Sequence, residues 1–168
     1  MNADPSRLVC GLATCFGVRS HDGRLFRREE FDAWLRLESA VPLRVDHAPL
    51  AIETNGTFIL DVGVARRFCP VHRPVDGLLT LAEIDQGPWG DALLEDLLLH
   101  QDRQPWLPGW GMSLGALHIR GLAALPFELS LTTQPGFADA RVLGVGPQAQ
   151  ATWDLLAEPI LNGQAVQP

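Results

Sequence analysis

The chain has 168 residues, 46% hydrophobic and 20% charged, enough for one domain with a real core, and its 16 glycines and 13 prolines favour many turns over a few long helices. Its formal charge of −7, with all 13 basic residues arginine, excludes the basic face that a phosphate-tracking nucleic-acid binder needs. No apolar run reaches a membrane span, no signal-peptide pattern opens the chain and three cysteines cannot all pair, so the reading is of a soluble, unexported protein with no nucleic-acid partner, no membrane and no structural disulfide.

Residues 8–18 form an apolar run rich in β-formers, which predicts a buried strand, and His21–Arg24 reads as a turn. Phe31, Trp34 and Leu35 recur at helical spacing, giving a short amphipathic helix over 28–37 that Pro42 ends. Val41–Val45 then leads, extended, into His47. Strand-like stretches follow at 57–64 and 77–84, with Phe68–Pro74 between them as a loop held open by two prolines. The clearest helix begins at Pro88 and runs to about His100, with Leu93, Leu94, Leu97 and Leu98 as its apolar stripe. Residues 101–109 read as a surface loop, 110–120 and 125–133 as two strands joined by a turn near Gly121. A Gly-Pro-Gln break at 146–148 precedes a last short helix and a polar tail, so 1–147 is taken as the main domain and 148–168 as helix and frayed end.

Three polar side chains stand out against these apolar segments. Ser113 lies between Gly111 and Gly115, where the glycines let a substrate backbone approach its hydroxyl. A serine is not a nucleophile until a base takes its proton, and His47 has the side chain suited to that at neutral pH. Glu128 sits alone among Leu, Pro and Phe, where a carboxylate costs several kcal/mol unless a cation or imidazole partners it. Strand alternation puts Glu128 and Ser130 on one face and Phe127, Leu129 and Leu131 on the other. In the preceding strand it sets His118 on the side opposite Ser113, which makes His118 a poor base. Asp46 points away from His47 if that segment is extended, so Glu128 is the better group to orient the histidine.

From about Gly11 to Val142 these segments resemble the phage prohead (capsid maturation) serine proteases, which share the herpesvirus assemblin fold. Val41-Pro42-Leu43-Arg44-Val45-Asp46-His47 is similar to the family's VPLLxxH, and Met112-Ser113-Leu114-Gly115-Ala116 to its MSFGF. Residues 128–142, from Glu128-Leu129-Ser130-Leu131 to Ala140-Arg141-Val142, are similar to EVSLVTxPANPDARV and are the most specific of the three. The resemblance implies an α+β fold, a mainly antiparallel β-barrel surrounded by a few short helices. It also implies Ser113 as nucleophile, His47 as general base and then acid, and Glu128 as the group that orients His47, with no cofactor and no metal. Ser130 would be structural; the oxyanion donor is not fixed by the sequence, backbone amides near Gly136 and the Arg141 guanidinium being the two candidates. The activity implied is that of a serine endopeptidase acting on scaffold and major capsid protein, and on itself, inside the assembling procapsid in the bacterial cytoplasm. A homodimer is implied by the assemblins.

The chain departs from the pattern in four places. Glu128 follows Ser113 by only fifteen positions, Asp46-His47-Ala48 stands where the family has NHD, PANP is replaced by Pro135-Gly136-Phe137-Ala138, and Phe68–Pro74 reads as an added loop. Two other readings stand beside the protease: a catalytically inactive relative serving as a capsid-assembly or binding module, and a metal site on Cys69 and His72 with Cys10 and Cys15. For the cysteines the alternative is simple burial.

Overall fold

The structure is a computed structural model that describes residues 4–47, 61–101 and 109–163. Among the described residues seven strands form one sheet: β1 (Leu8–Cys15), β2 (Val41–Val45), β3 (Gly63–Val71), β4 (Gly77–Ile84), β5 (Gly111–Ile119), β6 (Ala123–Thr132) and β7 (Val142–Val145), in the order β5-β6-β2-β3-β4-β1-β7. Every neighbouring pair is antiparallel except β2 with β6. The sheet curls until its ends meet, because Gly111 at the start of β5 bridges Arg141 just before β7, and Met112 N donates to Ala140 O at 3.0 Å. Four short helices, α1 (Asp32–Leu35), α2 (Pro88–Gln101), α3 (Pro147–Leu156) and α4 (Glu158–Leu161), decorate the outside.

The curl is driven by the inward face. Leu43, Met112, Leu129 and Leu131 are fully buried with Phe26, Phe31, Leu78 and Ile84. Each such side chain contributes roughly 1.5–3 kcal/mol by leaving water. A second cluster lies on the other side of β1 and β4, where α3 covers Cys10, Leu12 and Leu79 with Ala149 and Trp153. β1 is thus buried on both faces, which is why it reads as an unbroken apolar run.

Several expectations change. Phe68–Val71 is not loop but the second half of β3, paired with Thr80 to Gly77 of β4. Beyond Ala65 no β2 partner lies on its other side, which is the setting in which a strand tolerates Pro70. Pro42 likewise lies within β2, opposite Val64, and the 28–37 helix has already ended in a turn at Glu38, whose φ is +48°. That helix is a 3₁₀ turn, Arg28–Phe31, continued by the single α turn of α1. The strand expected at 57–64 is described only from Asp61, with β3 starting at Gly63, and the 101–109 loop and the end of the tail lie largely outside the described residues. The α2 stripe is narrower than its sequence pattern: Leu93 and Leu97 are buried, and Leu98 is exposed.

Candidate active site

Register carries the polar residues of three strands to one face. In β5 and β6, Ser113 lies directly opposite Ser130 and Gly115 opposite Glu128, while their neighbours Met112, Leu114, Leu129 and Leu131 enter the core. β2 runs parallel to β6 with Leu43 beside Leu129 and Arg44 beside Ser130, so Arg44 reaches the same outer face. The β5–β6 register slips where Gly115 and Ala116 face Glu128 and Pro126, leaving Phe127 as an extra residue. Phe127 therefore turns out to solvent with 58% of its surface exposed, and does not share the core face of Leu129 as simple alternation predicts.

β2 ends at Val45, and the chain does not stay extended to His47. Asp46 and His47 both take a left-handed φ of +54°, an uncommon conformation for residues with a β-carbon. Two bonds hold the turn to β6: Asp46 N donates to Leu131 O at 3.0 Å, and His47 N to Ser130 Oγ at 3.2 Å. The turn aims the imidazole back along β6, so that His47 Nδ1 meets Glu128 Oε1 at 2.5 Å. The second oxygen, Oε2, accepts from Arg44 at 2.7 Å, and Arg44 Nε donates to Asp61 at 3.0 Å. Burial works against the Arg44 charge, but its hydrogen bonds to Asp61 and Glu128 outweigh this and raise its pKa above the ordinary arginine value.

Gly115 makes room for this arrangement. A β-carbon there would lie inside the Glu128 side chain, 2.8 Å from Oε1. The glycine after the serine thus serves the carboxylate, a role not visible from its flanking of Ser113. On the other side of Ser113, a β-carbon on Gly136 would stand 3.8 Å from Ser113 Oγ, so the loop after β6 passes beside the hydroxyl. Arg141 donates its Nε to Ala138 O at 3.0 Å.

Of the residues named from sequence, His47 and Glu128 are joined directly, and Ser113 shares their face on the neighbouring strand. No hydrogen bond links Ser113 Oγ to His47 among those of the described residues. Ser130, fully buried, is held by the His47 backbone. His118 faces away from Ser113, with its Nε2 3.1 Å from Glu30 Oε2 and its ring 4.5 Å from that of Phe26. Sequence reading missed Glu30 and Arg44. Alternation along β2 does place Arg44 on the polar face, and that was the available signal.

The four residues of the metal reading do not converge. Cys69 and Cys10 are buried in the α3-side cluster, Cys15 belongs to the main core, and His72 lies at the surface against Arg28 and Asp76. Among the described residues no group of three or more His, Cys, Asp or Glu is placed to hold a metal ion. Burial pushes the Cys10 thiol up to about 12 and those of Cys15 and Cys69 up to about 11, which leaves all three protonated and unreactive at neutral pH.

No protein-family model matches the chain, and no curated protein matches it in sequence. Solved structures do resemble it. A crystal structure of Kaposi's sarcoma-associated herpesvirus protease with an allosteric inhibitor superposes at a TM-score of 0.50 and 21% identity, covering 80% of this chain and 72% of that one. The same viral protease with a dimer disruptor gives 0.49 and 20%, covering 80% and 73%. With a hexapeptide phosphonate inhibitor it gives 0.47 and 18%, covering 74% of this chain and 58% of the viral one. The fold is herpesvirus-protease-like: α+β, a curled seven-stranded sheet with a few short helices.

Proposed function

We propose that the chain is a serine endopeptidase of the phage prohead type, which trims scaffold and major capsid protein, and itself, in an assembling procapsid in the bacterial cytoplasm. The observation that carries this reading is the His47–Glu128 bond made on the same sheet face as Ser113. The resemblance of the three motifs to prohead proteases and the herpesvirus-protease-like fold support it. With Glu128 ionised, the shared hydrogen belongs to His47 Nδ1, which leaves Nε2 with a free lone pair. Nε2 takes the proton of Ser113 as Oγ attacks the scissile carbonyl, and passes it to the leaving amine. A water then hydrolyses the acyl-enzyme by the same route in reverse.

The half-exposed imidazole, with 41% of its side chain accessible, must close onto Ser113 Oγ when substrate is bound. Amides of the loop at Gly136, which passes beside the hydroxyl, are one candidate for the oxyanion donors, and each such donor is worth a hundredfold or more. Arg141 is the other candidate donor.

Intact-mass analysis after treatment with a fluorophosphonate, with and without co-expressed capsid protein, tests the proposal. One adduct on the wild type and none on Ser113→Ala is the expected result. An unlabelled wild type in both conditions, still binding capsid protein, overturns catalysis in favour of an inactive assembly module. Ser130→Ala retains the adduct if Ser113 is the nucleophile. Sedimentation of the purified chain tests the homodimer.

A further inference from the structure

A carboxylate bonded only to an imidazole favours imidazolium, and so draws a proton onto the group that must act as a base. Glu128 is not in that position. Its Oε1 meets His47 and its Oε2 meets Arg44, on opposite sides of one carboxylate of which only 6% is accessible. Arg44 is itself 18% accessible, so water screens it incompletely, and its Nε is anchored on Asp61. Two cations placed on the two oxygens of one carboxylate repel each other across it, and a nearby like charge disfavours the charged form of a titratable group.

We propose that Arg44 is a positioning residue that sets the charge state of His47: it fixes the Glu128 carboxylate with Oε1 turned to Nδ1, and offsets its negative charge so that the imidazole is drawn less strongly to its protonated form than it would be beside Glu128 alone. This rests on the reading of His47 as general base. Among the described residues, the charged groups linked to His47 by hydrogen bonds run from Glu128 of β6, which it touches, through Arg44 of β2 to Asp61 ahead of β3, with Asp46 preceding it in the turn. Arg44 is the one cation of the set. Removing it leaves the Glu128 carboxylate against the imidazole with no cation on its other oxygen, and the Asp61 charge behind it unpaired, so the His47 pKa is expected to rise in the variant.

The test is the rate of fluorophosphonate labelling from pH 5 to 9 for the wild type, Arg44→Leu, Arg44→Lys and Asp61→Asn. For Arg44→Leu the acid limb moves up by about one pH unit, a modest shift because His47 is half exposed, with about a tenfold loss on the limb itself. Arg44→Lys keeps the charge and leaves the limb within a few tenths of a unit of wild type. Asp61→Asn removes an opposing anion and moves the limb slightly down, which keeps the proposal open to refutation if Arg44→Leu fails to fold. A limb that stays in place in Arg44→Leu while labelling slows equally at every pH overturns the charge-setting role. Titration of the His47 ring by NMR in Ser113→Ala, with and without Arg44→Leu, separates this from the protease reading. If the wild type is never labelled, the protease reading fails, and a His47 pKa raised by about one unit in Arg44→Leu still upholds the coupling, whereas an unchanged pKa overturns it.

Discussion

His47 with Glu128 and His118 with Glu30 are both imidazole–carboxylate pairs carried on or against the β5–β6 hairpin, at 2.5 and 3.1 Å. They differ in what else the carboxylate serves and in which nitrogen is left over. Glu30 also accepts two backbone N–H groups, from Arg27 at 2.8 Å and from Gly121 at 2.6 Å, so it fastens the 3₁₀ turn to the tip of the hairpin. Its histidine packs at a tilt against Phe26 and is only 12% accessible. Glu128 takes no backbone donor among the described residues; its partners are two side chains, and its histidine stands at the surface. A histidine–carboxylate contact is therefore not by itself a base. The pair that holds backbone amides is a clasp, and the pair whose imidazole is exposed on the sheet face that carries Ser113 is the one proposed to transfer a proton.

Exchanging each glutamate for glutamine separates the two roles. On the proposed mechanism Glu128→Gln loses the anion that fixes the His47 tautomer and steadies its charged form, and is expected to slow labelling and cleavage by roughly 10²–10⁴-fold. Gly115→Ala reaches the same pair indirectly, because its β-carbon displaces the Glu128 side chain. A loss of order 10–100-fold, smaller than that of Glu128→Gln, is expected from a misplaced catalytic group, together with about 1–3 kcal/mol of overpacking measured in urea. Glu30→Gln reverses the pattern. Labelling proceeds at the wild-type rate, but an amide NH₂ replaces an acceptor, one donor is left unmet, and stability falls by about 1–3 kcal/mol in the same urea titration. Slow labelling in a folded Glu30→Gln protein would dissolve the distinction between the two pairs.

What the sequence makes legible follows from locality. Glu128 stood out because a lone carboxylate among Leu, Pro and Phe demands a partner, and alternation along β6 puts it with Ser130 on the face away from Leu129 and Leu131. The same alternation in β5 sends His118 away from Ser113. Glu30 gave no such signal: within Arg28-Glu29-Glu30-Phe31 it reads as one of several solvated charges, and its burial comes from an amide 91 residues away. Arg44 and Glu128 are 84 residues apart and meet only because β2 lies parallel to β6, a pairing that no short-range pattern announces. Phe68–Val71 failed for the converse reason, since its prolines are a local loop signal that pairing with β4 overrides.

The finest comparison is in acid. Desolvation works to raise the Glu30 pKa, but the amides of Arg27 and Gly121 and the ring of His118 outweigh it and hold the carboxyl below its ordinary value of 4.5. A group whose pKa is depressed on folding stabilises the native state fully above its unfolded pKa and loses that contribution as pH falls through the folded one. Stability of the wild type relative to Glu30→Gln, measured by urea unfolding, is therefore greatest from about pH 6 upward and shrinks once the pH drops below the ordinary glutamate range. The mutant curve is flatter over that interval because its amide does not titrate. A difference between the two that held constant from pH 7 down to pH 3 would mean that the clasp depends on the shape of the side chain rather than on its charge, and the contrast with Glu128 would then lie in exposure alone.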